Sequence, residues 1–246
     1  MSEHSILDII DRGDPFAVVG HRGAKDECAE NTLPCIEYAL RKGIDIVEVD
    51  VRATKDGELI VLHDETFKRV SGLDISPRDL TLKEIKENIR IFGKYRVPTL
   101  KEVLRKIYNR AGIFVEIKEP DTVHKVVQTV LEEGIPNLTA FISFHKSALK
   151  GVKGINKGLI TGLIYLKPES AITEAKKIGA KIVLPRWPLA TPKAVAFAHR
   201  LKLKVVPWVI NTEEELQRVL KARPDAIATD RPSWLLKSRE ELRGKD

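Results

Sequence analysis

The chain has 246 residues, is 43% hydrophobic and 31% charged, and carries a formal net charge of +7. That length suits one α/β barrel of about 250 residues, while the composition excludes a disordered chain and the absence of an apolar run near ~20 residues excludes a membrane span. The charge admits nucleic acid, an anionic membrane surface or a phosphorylated small molecule as partner, or simply a lysine-rich solvated surface; no basic run interleaved with aromatics supports nucleic acid.

The first stretch, MSEHSILDIIDRGDP, has early acids and no long apolar core, so no secretory leader is expected and a cytoplasmic location is. Strand-like and helix-like runs then alternate. Strands are expected at 16–20, 46–51, 113–117, 140–144, 159–165, 181–185, 204–210 and 226–230, and helices at 33–42, 99–110, 122–133, 145–150, 168–178, 191–201 and 212–222. Thr191 before Pro192, and Thr212 before three glutamates, are helix starts. Eight strands alternating with helices predict a (β/α)8 TIM barrel, taken as a single domain over 1–246. A doubly wound sheet is disfavoured because no G-x-G-x-x-G follows the first strand. Residues 58–63 follow the second strand after only ATKDG, too few for a parallel crossover, and Asp56-Gly57 signals a hairpin. Residues 64–98, punctuated by Gly72, Pro77, Gly93 and Pro98, read as a lid-like insertion of low apolar content, a long loop with one short helix at 81–89. The two cysteines, Cys28 in a loop and Cys35 in a helix core, are too few for a disulfide scaffold or a cysteine zinc site; one bridge stays open.

The chemistry lies in IVEVDV and its neighbours. Side chains alternate along a strand, so Ile46, Glu48 and Asp50 share one face and three valines the other. Taken alone, those acids could face water. In a barrel the valines pack on the helix shell and the acids enter the lumen near the rim where such barrels place active sites. Glu116 repeats the device in VEIK. Carboxylates brought together repel unless a cation or protons intervene, and hard ions such as Mg2+ or Ca2+ prefer oxygen ligands. Lys118 puts a positive charge beside them; its plainer reading is a surface ion pair with Glu119 or Asp121. His21 and Arg22 lie between Gly20 and Gly23 at the first strand's end, and His63 ends the hairpin near the same rim. Two imidazoles suit giving and taking protons at neutral pH, and a guanidinium matches phosphate oxygens. Together these groups predict phosphodiester cleavage. A zinc site lacks a convincing histidine spacing. His4, His124 and His199 are read as solvated, while His145 sits either at the pocket or at a solvated helix start.

In order along the chain, His21-Arg22-Gly23, Glu30-Asn31-Thr32, VEVDV, TKDGELIVLHDET, VEIK, PWVIN and ATDRP span about residues 16 to 232. This ordered set resembles the glycerophosphodiester phosphodiesterases. The resemblance implies a TIM barrel using one divalent cation, Mg2+ or Ca2+ with Mn2+ as a substitute. It implies hydrolysis of small-molecule glycerophosphodiesters to glycerol 3-phosphate and an alcohol. It places Glu48, Asp50 and Glu116 on the metal, His21 and His63 as the acid–base pair, and Arg22 and Lys118 on the phosphate. By the same resemblance Glu30 and Asn31 would orient the first loop and touch substrate or metal-bound water, and Trp208 would wall the glycerol side unless it is plain barrel core. The sequence departs from the pattern at Ala29, where the family often has proline, and in a short 64–98 insertion, the region that in the family helps cap the site and tune substrate choice. Phospholipase D-type action on lysophospholipids and a non-enzymatic glycerophosphodiester-binding barrel are the alternatives.

Overall fold

The structure, a computed structural model, describes residues 5–168 and 170–244; His4 lies outside the described residues. Among the described residues nine strands form: β1 (Ala17–Gly20), β2 (Ile46–Ala53), β3 (Leu59–Val61), β4 (Gly112–Ile117), β5 (Thr139–Ser143), β6 (Ile160–Tyr165), β7 (Ile182–Pro185), β8 (Lys204–Val205) and β9 (Ala226–Thr229). Eight are parallel neighbours in the order β8-β7-β6-β5-β4-β2-β1-β9, and β3 pairs antiparallel with β2 as the hairpin signal predicts. The barrel closes between the stretch after β8 and β9, where Asp225 N donates to Val205 O at 3.0 Å and Ile210 N to Ala228 O at 2.9 Å. This is the predicted (β/α)8 barrel.

The expected strand at 204–210 is shorter in regular form. Pro207 has no N–H for a ladder, yet Val206 N reaches Val183 O and Trp208 N reaches Pro185 O, so the chain keeps its course. Along β2 the pleat sorts the side chains as expected. Val47, Val49 and Val51 pack with Val103, Leu104 and Ile107 of the helix Leu100–Ile107, whereas Ile46 joins Val19, Phe114 and Ile182 in the lumen. Threonine caps start the outer helices, with Thr99 and Thr212 each accepting from a backbone N–H three residues on. The helix begun at His145 runs over Lys146–Ile155, longer than the 145–150 expected.

Outside the insertion, two of the described helices fall outside the sequence expectation. Ile6–Arg12 is capped by Ser5, with Asp8 returning the bond, and buries Ile6 and Ile10 in the lumen's lower end. Gly112 permits this approach, since a Cβ there would collide with Ile6. Pro232–Arg243 packs Leu235 into the shell and ties Arg239 to Asp45.

The insertion corrects the reading of 64–98 as poor in apolar content. Phe67, Val70, Ile85, Ile89, Ile91 and Val97 are buried together with Ile60 and Leu62 of the hairpin. They come from the short helices Lys68–Ser71 and Leu82–Asn88 and from irregular chain before the first and after the second, so no single period marks them. Among the described residues no helix is long and apolar enough to cross a membrane.

Cys28 and Cys35 are bonded to each other, the one bridge the sequence left open. The bridge spans the Glu30-Asn31-Thr32 loop, joining residues seven apart in sequence. Closing so short a loop restricts the unfolded chain by about 2–3 kcal/mol. Reduction with dithiothreitol is therefore expected to lower the urea midpoint by that stability; equal midpoints with and without reductant would count against the bridge.

Candidate active site

The carboxyl ends of β1, β2 and β4 bring the predicted acids together. Glu48 and Asp50 rise from β2, and Glu116 stands on β4 as the register partner of Asp50. Each offers an oxygen, and these oxygens lie within 4.8 Å of one another. All three residues are buried, Asp50 fully. Burial, then the charges of Asp50 and Glu116, push the Glu48 carboxyl well above its ordinary range. Burial and Asp50 likewise raise Glu116 to about 7. For Asp50, burial opposes ionisation, but Lys118 and Arg22 overcome it and hold the carboxyl below its usual value. Glu48 Oε1 and Asn31 Oδ1 are buried with no hydrogen-bond partner, and Asp50 Oδ1 meets only the Lys118 ammonium, at 3.1 Å. An all-oxygen cluster with orphaned acceptors fits a hard divalent cation.

Both imidazoles face the same space, a cavity of about 140 Å³ that also meets Arg22, Glu116, Phe144 and Trp208. His21 Nδ1 lies 2.6 Å from Asp230 Oδ1, and His63 Nδ1 lies 2.6 Å from Asp64 Oδ1. A carboxylate on Nδ1 holds the proton there and leaves Nε2 free to exchange one in the cavity. Burial, against the pull of Asp50 and with the push of Lys118 and Arg22, lowers the His63 pKa. Asp230 is fixed in turn, its Oδ2 accepting from Asn211 Nδ2 at 2.8 Å. Burial works against ionisation of Asp230, yet the contact with His21 brings its pKa down to about 2.

Asp64 and Asp230 were not singled out from sequence. The dipeptide His63-Asp64 carried a signal; ATDRP entered only as part of the family pattern and pointed to no partner for Asp230, which meets His21 across 209 residues only when the barrel closes. Replacing Asp230 with asparagine is expected to lower kcat by about 10²-fold, within the share an oriented acid–base group supplies. Steady-state kinetics checks this, and unchanged kcat would deny Asp230 that part.

Arg22 folds back onto the acids. Its N–H donates to Glu48 Oε2 at 2.8 Å, its Nη1 to Glu30 Oε1 at 2.9 Å, and its Nε sits 3.4 Å from Asp50 Oδ2. Its φ of 51° and that of Asn31, 55°, are positive, held by this network. A Cβ on Gly20 would strike Gly23 O, so the loop's tight return requires glycine there. Asn31 Nδ2 donates to Asp50 Oδ2 at 2.9 Å. Lys118 pairs with Glu116 at 2.7 Å and Asp50 at 3.1 Å, which corrects the surface alternative with Glu119 or Asp121. Trp208 stacks edge-on against Phe144, centroids 5.7 Å apart, and donates Nε1–H to Leu184 O. His145 caps its helix and stays exposed at a wider opening, while His124 and His199 are exposed on helices.

Residues 21–233 match the glycerophosphoryl diester phosphodiesterase family. A relative from Caldanaerobacter subterraneus subsp. tengcongensis, named glycerophosphodiester phosphodiesterase, is 31% identical over 89% of this chain and 96% of its own. The crystal structure of a Thermotoga maritima glycerophosphodiester phosphodiesterase superposes with a TM-score of 0.79 at 27% identity, over 90% of this chain and 97% of that one. An Oleispira antarctica phosphodiesterase solved with the product sn-glycerol-3-phosphate shares the fold, with a TM-score of 0.84 at 23% identity over 92% and 96% of the two chains. A match over most of the chain, on a barrel whose rim gathers three carboxylates and two aspartate-held imidazoles, makes this protein a member of the glycerophosphoryl diester phosphodiesterase family.

Proposed function

We propose that the chain hydrolyses glycerophosphodiesters to glycerol 3-phosphate and an alcohol, with one divalent cation held by Glu48, Asp50 and Glu116. The observation that carries this reading is the cluster of those acids within 4.8 Å, beside two imidazoles that share one cavity. A bound cation supplies positive charge against the oxygens around phosphorus. Arg22 and Lys118 add cationic donors to the phosphate, and Asn31 holds Asp50 in place. One imidazole takes a proton at Nε2 from the attacking water as its oxygen bonds to phosphorus. The other gives a proton to the departing alcohol oxygen as the old P–O bond breaks. The same pair serves if the substrate's own glycerol 2-hydroxyl attacks first. Trp208 and Phe144 wall the apolar side of the cavity, where the glycerol carbons fit.

Beyond Glu116 and Lys118 the site opens into a space of about 710 Å³ bordered by Arg52, Arg78, Glu119 and Asp121. That lining suits a polar headgroup. An acyl chain laid along it would desolvate charges without return, so deacylated diesters are favoured over lysophospholipids. The test is a panel of glycerophosphodiesters and lysophospholipids with Mg2+, Ca2+ or Mn2+, read as release of glycerol 3-phosphate or lysophosphatidate. Metal-dependent turnover of the glycerol diesters, abolished by chelator and restored by metal, is expected. No turnover with any metal would favour the binding barrel instead.

A further inference from the structure

The geometry points to Arg69, in the insertion, as a positioning residue that holds both the His63 imidazole and the Arg22 guanidinium for reaction; this rests on the hydrolytic reading above. Arg69 lies in the four-residue helix Lys68–Ser71, between the buried Phe67 and Val70, whose packing in the insertion's small core fixes the helix. From there its guanidinium spends all three nitrogens on two carboxylates. Nη1 and Nη2 fork onto Glu30 at 2.7 and 2.8 Å, and Nε donates to Asp64 at 2.6 Å.

Each carboxylate leads into the cavity. Asp64 gives Oδ2 to Arg69 and Oδ1 to His63 Nδ1, so rotating away from Arg69 would release the imidazole. Glu30 Oε1 also accepts from Arg22, which in turn reaches Glu48 and Asp50. Burial opposes ionisation of Glu30, and the bonds from Arg69 with the charge of Arg22 overcome it and hold the carboxyl low. Without Arg69, a buried Glu30 would keep one cation, and Asp64, about a quarter exposed, would be free to turn. Only a planar fork spans both partners at once; a lysine ammonium reaches one of them. The insertion, read from sequence as a cover, thus reaches under the rim to brace the acid–base and phosphate-binding groups together.

A plain structural pin would predict lost stability and nothing more. Positioning predicts kinetic effects that Asp64 shares. Removing an outer partner of a functional group costs about 10- to 10²-fold in activity. With sn-glycero-3-phosphocholine and saturating Mg2+, Arg69→Ala should lower kcat through the Asp64–His63 arm and raise KM through the Glu30–Arg22 arm. Arg69→Lys should recover only part, and guanidinium ion in the millimolar range should partly rescue Arg69→Ala but not Asp64→Asn. In the cycle with Asp64→Asn the kcat losses should not multiply, since both changes free the same imidazole. Arg69→Gln, which keeps a neutral hydrogen bond, serves if Arg69→Ala misfolds. Wild-type turnover with kcat and KM of a folded Arg69 variant within twofold of it, or kcat losses that multiply, would overturn the inference. A wild type inactive on every glycerophosphodiester and metal tried would instead overturn the functional reading, and this inference with it.

Discussion

Replacing His63 or His21 with alanine should lower kcat by about 10²-fold or more, the share that a general acid or base supplies. Each ring is held at Nδ1 by a carboxylate, and those carboxylates, Asp64 and Asp230, stand behind the rings and not in the cavity. The double replacement should lose less than the product of the two single losses, because one proton must enter as another leaves. Single-turnover kinetics at saturating metal separates this loss from binding. Near-normal turnover in both single variants would reject the assignment.

Glu48→Gln should abolish metal-dependent turnover while costing the metal-free protein little stability. Burial and the neighbouring Asp50 and Glu116 push the Glu48 carboxyl well above its usual range and so favour its neutral form when no cation is bound, which an amide resembles. A glutamine oxygen can still accept from Arg22 N–H, as Glu48 Oε2 does. What disappears is one of three anionic ligands. A cation at 100 times its Kd should stabilise the wild type by about 2.7 kcal/mol, and the variant by far less. The pH dependence follows from the same shifts. Glu116 has its pKa raised from 4.5 to about 7, so the native state binds more protons than the unfolded state between those values. The contribution of Glu116 to metal-free stability is therefore full below 4.5 and is lost as pH rises through about 7. Saturating metal, which takes the proton's place, should flatten that slope. Denaturant melts of both proteins across this range, with and without Mg2+, check it.

Much of this was legible because β2 writes the site in alternation. A strand reading Ile-Val-Glu-Val-Asp-Val has one apolar face and one acidic face, and a barrel has one place for each. Glu116 followed from the same rule in β4. Contacts that depend on closure were not legible. Asp230 looks like any polar residue after a last strand until β9 lies beside β1. Lys118 has acids on both sides in sequence, and only the register of β4 against β2 turns it from Glu119 toward Asp50. The insertion's core was missed for a different reason: its apolar residues are split between a one-turn helix, a two-turn helix and irregular chain, so no shared period runs through them. The helix Ile6–Arg12 had its signal, Ser5 with Asp8 three residues on, but only two turns to show it in.

Calorimetric titration of the chelator-stripped protein with Mg2+ and with Ca2+, beside Glu48→Gln and Asp50→Asn, addresses the cation directly. One ion per wild-type chain, with proton release as Glu48 and Glu116 ionise, and no measurable binding in either variant is the predicted result. Wild-type protein that takes up no ion, or variants that bind one as well as it does, would contradict the account.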